Sequence, residues 1–213
     1  MTLLKNTGGI AQTNCYMLAD DVSKQAVLFD APDGTVAPLL DQAVKRGWTV
    51  IGLWLTHGHF DHIADHALVN ARFPDAKVLI HPLDELKLSN PIIQTARFPL
   101  PFKIPPRIPD MHLHDEQMLK IGSLDVRVIH TPGHAPGHVM FHVVSEKTLV
   151  GGDLIICGSV GRTDLPDSEP DKLDASIRSI MTLPDDTRLL PGHCNITTLG
   201  DERRNNAYVR GCL

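Results

Sequence analysis

Six residues constrain this chain more than any others: His57-Gly58-His59-Phe60-Asp61-His62, which directly follow the apolar run VIGLWL at 50–55. A short apolar run of this kind reads as a buried strand. Three imidazoles and a carboxylate cannot enter an apolar core without partners. A loop leaving the strand can instead aim His57, His59, Asp61 and His62 into one concavity. Composition alone would produce the pattern in roughly 4 of 1,000 such chains. Imidazole and carboxylate are the ligand types that suit zinc, iron or manganese.

Three further candidates occupy equivalent positions. His134 lies in His130-Thr131-Pro132-Gly133-His134, just after a strand expected at 124–130 (LDVRVIH). Asp153 closes Gly151-Gly152-Asp153 after a strand expected at 147–152. His193 follows TRLL at 187–190 in Pro191-Gly192-His193. Four strand ends thus each deliver ligand-type residues, with glycines beside them that permit close backbone approach. Seven such residues are too many for one tetrahedral ion, and two ions sharing a carboxylate fit better.

The rest of the chain frames these positions. Paired strands are expected at 14–19 and 25–30. Val36, Leu39, Leu40, Ala43 and Val44 recur with helical period after Thr35, and Gly47 stops the helix. Helix is expected at 64–72, strand at 77–81 (KVLIH), and a short helix after Pro82. The second half repeats the order: strands at 124–130, 138–144 and 147–152, a helix after Pro170 with Leu173, Ile177, Ile180 and Met181 on one face, strand at 187–190, helix at 199–209. That alternation predicts an α/β layered domain spanning 1–213, helices outside and sheet inside. Between the halves, residues 91–110 carry six prolines. They predict an irregular linker, with a loop over the site as the alternative.

Composition excludes several classes. The 213 residues carry a net charge of −5 with no basic stripe, which argues against nucleic acid and anionic membrane as partners. No apolar run reaches the ~18 residues of a membrane span. The first residues lack the apolar core of a signal peptide. The four widely spaced cysteines predict free thiols in a reducing, cytoplasmic setting.

In order, QTNCYML, LFDAP, THGHFDHIAD, HTPGHAPGH, GGDLI and PGHC resemble the metallo-β-lactamase superfamily over essentially the whole chain. The match is closest to small glyoxalase II-like (hydroxyacylglutathione hydrolase-like) hydrolases, on Gly161-Arg162-Thr163-Asp164 and on the segment from Pro191 to Arg204. The resemblance implies a four-layer αββα sandwich of two pseudo-equivalent halves. It implies one metal site of His57, His59 and His134, a second of Asp61, His62 and His193, and Asp153 between them. The cofactors implied are two divalent ions, zinc first, with iron or manganese as alternatives. The reaction implied is hydrolysis of a small-molecule glutathione thioester by hydroxide held at the ions, with Asp61 essential to catalysis and Arg162 binding the glutathione moiety.

Departures bear on subfamily. Asp153 stands where lactamases of the best-known subclass carry Cys. Asp164 replaces the Tyr of the glyoxalase II segment GKxY, and this chain lacks that enzyme's helical domain. Persulfide dioxygenases share GRTD and the same histidines, and use a single iron at the His57, His134 and Asp153 positions; they are the second reading, and lactonases the third. Among other residues, Asp30 is a candidate to support a metal ligand, while His66 is expected to face out. His81, His112 and His114 are expected at the surface or at strand ends. His138 and His142 are expected to be packing residues, with one beside a ligand as the alternative. Cys157 and Cys194 are expected to pack, and Arg203 and Arg204 to lie on an exposed helix face.

Overall fold

Every residue of the strand at 13–20 is buried, and its side chains divide with period two between two apolar clusters. Cys15, Met17 and Ala19 join a cluster with Val36, Leu39, Leu40 and Val69 of flanking helices. Tyr16 and Leu18 join one with Val126, Val128 and Phe141 of a second sheet. A strand that is buried on both faces must lie between two layers, which accounts for its near-continuous apolar sequence.

The computed structural model describes residues 1–96 and 100–213. The first sheet runs in the order β1 (Thr2–Gly8), β2 (Thr13–Asp20), β3 (Gln25–Phe29), β4 (Thr49–Trp54), β5 (Lys77–Ile80) and β6 (Met111–His112). Helices α1 (Val36–Arg46), α2 (Phe60–Ile63), α3 (His66–Arg72), α4 (Glu85–Ser89) and α5 (Ile92–Thr95) belong to this half. The second sheet contains β7 (Met118–Ile121), β8 (Leu124–His130), β9 (Val139–Val143), β10 (Thr148–Gly152), β13 (Arg188–Pro191) and β14 (Thr197–Thr198), in the order β14-β13-β10-β9-β8-β7. A hairpin of β11 (Ile155–Ile156) and β12 (Ser159–Val160) precedes α6 (Pro170–Ile180), and the chain ends with α7 (Leu199–Asn205) and α8 (Ala207–Cys212).

The halves repeat one device. β2 and β3 pair antiparallel, α1 crosses over, and β4 returns parallel to β3. β9 and β10 pair antiparallel, α6 crosses over, and β13 returns parallel to β10. The sheets stack on Phe29, Trp54 and Phe141, whose ring centroids lie 5.0–5.8 Å apart. Outside the second sheet, Leu173, Ile177 and Ile180 of α6 cover Met140, Leu149 and Leu189. This is the expected αββα sandwich.

Several boundaries differ from the sequence reading. The helix expected at 64–72 begins at His66, where Asp65 N–H has turned aside to donate to Ala31 O at 2.8 Å, and the His-rich stretch read as a loop contains the single turn α2. The helix expected at 199–209 breaks at Asn206, whose Oδ1 accepts from Tyr208 N at 3.0 Å and caps α8. α1 ends as read: Gly47 takes φ 67° and its N–H caps the last carbonyls. Val44 sits at the edge of the apolar stripe and is half exposed. The segment 91–110 is not merely a linker. It opens with the single turn α5, and Gln94 reaches the loop after β4. Of its prolines, Pro99 lies outside the described residues.

Candidate metal centre

The parallel strands β4, β10 and β13 and the end of β8 deliver the seven ligand-type residues to one edge of the sandwich. Ligand atoms of His57, His59 and His134 all lie within 4.8 Å of one another, and the same holds for Asp61, His62 and His193 and for His57, His62 and Asp153. Asp153 spans the cluster. Its Oδ2 is 3.1 Å from His193 Nε2 and 3.7 Å from His134 Nε2, while Oδ1 is 3.5 Å from His62 Nε2. His193 Nε2 is also 3.5 Å from Asp61 Oδ2.

Hydrogen bonds behind the rings determine which nitrogen points inward. His134 Nδ1 donates to Arg162 O at 2.8 Å, and His193 Nδ1 donates to Ala11 O at 3.1 Å. A carbonyl can only accept, so Nδ1 carries the proton in both rings. His62 Nδ1 meets Asp30 Oδ2 at 2.8 Å. Thr56 Oγ1 donates to Asp30 Oδ2 at 2.8 Å and therefore accepts from His57 Nδ1 at 3.0 Å. All four rings thus turn Nε2 toward the centre. His57 Nε2 is buried without a hydrogen-bond partner. A buried imidazole nitrogen left without a partner is costly unless a cation takes its lone pair.

Charge points the same way. Burial opposes a charge on His62, yet Asp61, Asp153 and Asp30 outweigh it and hold its pKa well above the usual imidazole range. Burial would raise the Asp153 pKa, but His62 and His193 overcome it and hold the carboxyl well below the usual range. Burial, reinforced by the neighbouring imidazoles, keeps His57 neutral. An Asp153 carboxylate held ionised beside a neutral His57, with His62 drawn toward its charged form by three aspartates, makes a centre that favours positive charge.

Further supports surround the cluster, and among them His138 takes the alternative that the sequence left open. His138 is not a packing residue: its Nε2 accepts from Asp153 N at 2.9 Å, and its Nδ1 donates to Thr131 Oγ1 at 2.8 Å. Burial lowers its pKa to about 3, so the ring stays neutral as this acceptor role needs. Thr13 Oγ1 donates to Asp61 Oδ2 at 2.7 Å. The buried carboxylate of Asp84 accepts from Gly58 N at 2.7 Å, Gly137 N at 3.0 Å and Lys87 Nζ at 2.9 Å, so it ties together two loops of the centre. Gln94 holds the first loop from the other side, donating to Gly58 O at 2.8 Å and accepting from Phe60 N at 3.0 Å. The first sheet reaches the second here too, where Asn14 N donates to Gly192 O at 2.7 Å. Threonine and asparagine next to the motifs were the available signals. Asp84 had none.

Other expectations fall differently. Asp30 supports His62, as its position suggested. His66 faces inward, donating from Nε2 to Pro105 O at 2.8 Å. His81 ends its strand but is buried against His130, with ring planes 5° apart. Cys157 and Cys194 are exposed rather than packed, and all four cysteines are free thiols. Arg162 stands at the rim of the cavity, and its guanidinium forks onto Asp164 at 2.6 and 2.7 Å. Arg203 folds back, donating to Met181 O at 2.6 Å.

Residues 8–193 match the family model of the metallo-beta-lactamase superfamily. The chain belongs to that superfamily. Within it, the chain is 32% identical over 200 residues to hydroxyacylglutathione hydrolase GloC of Haemophilus influenzae, covering 93% of each chain. Two solved structures of the superfamily fold superpose closely. One is BLEG-1 B3 metallo-beta-lactamase, with a TM-score of 0.88, 33% identity and coverage of 98% of this chain and 99% of that one. The other is TTHA1623 in a di-iron-bound form, with a TM-score of 0.85, 34% identity and coverage of 96% and 99%. No helix among the described residues is long and apolar enough to cross a membrane.

Proposed function

We propose that this superfamily member is a metal-dependent hydrolase of thioesters, with S-acyl glutathione as its substrate class. The observation that carries the reading is the second trio. Asp61, His62 and His193 converge as tightly as His57, His59 and His134, and Asp153 lies between them. A one-iron dioxygenase has the same histidines but uses only His57, His134 and Asp153, so that reading gives the second trio no ion. The similarity to a hydroxyacylglutathione hydrolase supports the thioester, and the four free thiols support a reducing, cytoplasmic setting.

In this reading His57, His59 and His134 hold one divalent ion, and Asp61, His62 and His193 hold the other. Zinc fits the imidazole and carboxylate donors, and iron or manganese fit them as well. Such ions polarise a carbonyl and lower the pKa of water toward neutrality. The protein keeps the donors oriented. Asp30 and Thr56 fix His62 and His57, Arg162 O fixes His134, and Thr13 fixes Asp61. No side-chain nucleophile is required. Arg162, at the rim, meets a carboxylate of the glutathione moiety by exchanging it for Asp164.

The test is thiol release from a panel of S-acyl glutathiones, S-D-lactoylglutathione included, by zinc-loaded protein. Turnover should fall at least about a hundredfold in Asp61→Ala. An Asp61→Ala enzyme as active as the parent, or no thiol from any member, would sink the reading. Oxygen uptake with glutathione persulfide would transfer it to the one-iron oxygenase.

A further inference from the structure

The cavity in front of the metal centre has a volume of about 630 Å³, within the range of small-molecule sites. His59, Asp61, His134, Asp153 and His193 line its floor. Its sides differ in character from the floor. Leu83, Leu86 and Ile93 come from the segment around α4 and α5, and Ile156, Val160 and Leu165 come from the β11–β12 hairpin and the loop beyond it. Leu83 is 58% exposed, Leu86 59% and Ile93 42%, so three large aliphatic side chains stand in solvent beside the reacting centre. A cluster of this kind, unlike scattered single residues, marks a binding surface.

The polar groups beside these walls are paired. Lys87 Nζ is 2.9 Å from Asp84 Oδ1 and 2.5 Å from Asp167 Oδ2. Arg162 is paired with Asp164. Both side chains have carboxylate partners, and of the two the exposed Arg162–Asp164 pair is the one that opens to a glutathione carboxylate. Gln94 spends its amide on Phe60 and Gly58. The hydroxyl of a short hydroxyacyl group finds no free partner among the six aliphatic side chains, whereas a hydrocarbon chain would cover them.

We propose that these six side chains form a subsite for an apolar acyl chain, so that acyl groups of about four to eight carbons are preferred over lactoyl. The proposal rests on the thioesterase reading for the identity of the chain that enters, and on the cavity wall for its chemistry. Continuity with the centre fixes the occupant. The six side chains line the same cavity as His59 and Asp153, so a chain attached to a carbonyl bound over that floor has them beside it.

Two measurements test it. Affinities of unreactive S-alkyl glutathione thioethers, methyl to octyl, are measured by calorimetry on the purified protein. The expected affinity rises roughly two- to fourfold per methylene until the chain outgrows the cavity, with an increasingly negative heat-capacity change. kcat/KM for the S-acyl series should climb from acetyl to hexanoyl and exceed that of lactoyl. Leu86→Asn and Ile93→Asn, at exposed positions that do not threaten folding, should flatten both ladders, and Leu86→Met should keep them. A flat thioether ladder, or lactoyl preferred over hexanoyl, overturns the subsite while leaving thioester hydrolysis in place. A steep thioether ladder without any thioester turnover keeps the apolar subsite and overturns the thioesterase reading.

Discussion

Asp30 Oδ2 lies 2.8 Å from His62 Nδ1, and Asp30 itself sits at φ 60°, in the left-handed region. Backbone in that region costs a non-glycine residue free energy, and it persists where surrounding contacts over-determine it. Here the same carboxylate accepts from Thr56 N at 2.8 Å and from Thr56 Oγ1. One buried side chain therefore orients His62 directly and His57 through Thr56.

Asp30→Asn separates orientation from charge. The amide offers one acceptor where the carboxylate offers two, so His62 or Thr56 loses its partner. Affinity for zinc, read by chelator competition, should fall about 10- to 100-fold. Stability of the metal-free protein should fall by about 1–3 kcal/mol in denaturant melts. Unchanged zinc affinity would show that His62 needs no support from Asp30.

Lys87 guards the stability of the loops rather than the ions. Asp84 is fully buried, and burial would raise its pKa, but Lys87 overcomes this and lowers it. Lys87→Met leaves that carboxylate without a countercharge and should cost about 3–5 kcal/mol at neutral pH. In the variant the carboxyl titrates above its unfolded value, so the loss should shrink as pH falls through that raised pKa. Adding Asp84→Asn should restore part of the loss. Additive single losses would show that the two groups are not coupled.

What could be read from sequence follows from where the information lies. Buried strands such as β4 and β8 carry their own apolar pattern, and the ligand motifs sit at their ends. β1 is an edge strand with no fully buried residue, and β14 has only two residues, so neither shows a readable period. The supports of the centre arise from tertiary proximity. His138 lies 15 residues from the Asp153 amide it holds, and Asp84 lies 53 residues from the Gly137 amide. Nothing local marks Asp84, and the sequence marked His138 only as one of two histidines that could stand beside a ligand. Gln94 was hidden for another reason, because a proline-rich stretch reads as irregular whatever it contacts.

His81 makes stability depend on pH away from the centre. Burial, then the stacked His130, lowers its pKa to about 4, and its Nδ1 accepts from Leu83 N at 3.3 Å. An unfolded histidine titrates near 6.5, so the unfolded chain binds the extra proton between those values. Its share of stability is present above about 6.5 and is lost as pH falls toward 4. Allowing for the ring's partial access to solvent, that share is about 1 kcal/mol. His81→Asn keeps an acceptor for Leu83 and removes the titration. The stability gap between parent and variant should shift by about that amount between pH 7 and pH 5 in denaturant melts; a constant gap would rule the ring out.

Gly192 is required by the centre rather than by its own backbone. Its N–H donates to Gly152 O at 2.7 Å, and a Cβ there would overlap Asp153 Oδ1 and crowd His62 Cε1. Gly192→Ala must therefore push aside the carboxylate that spans both trios or move the loop carrying His193. Overpacking of this kind costs about 1–3 kcal/mol of stability. The effect on metal binding should be larger than that of a remote substitution of equal cost, because the displaced Asp153 lies between both trios. The control is Val209→Ala, in the apolar cluster under α8, which also destabilises but touches no ligand. Zinc titrations of the two variants at matched stability decide the matter. Weaker binding confined to Gly192→Ala supports the steric role, and equal binding in both would mean the loop absorbs the methyl without moving Asp153.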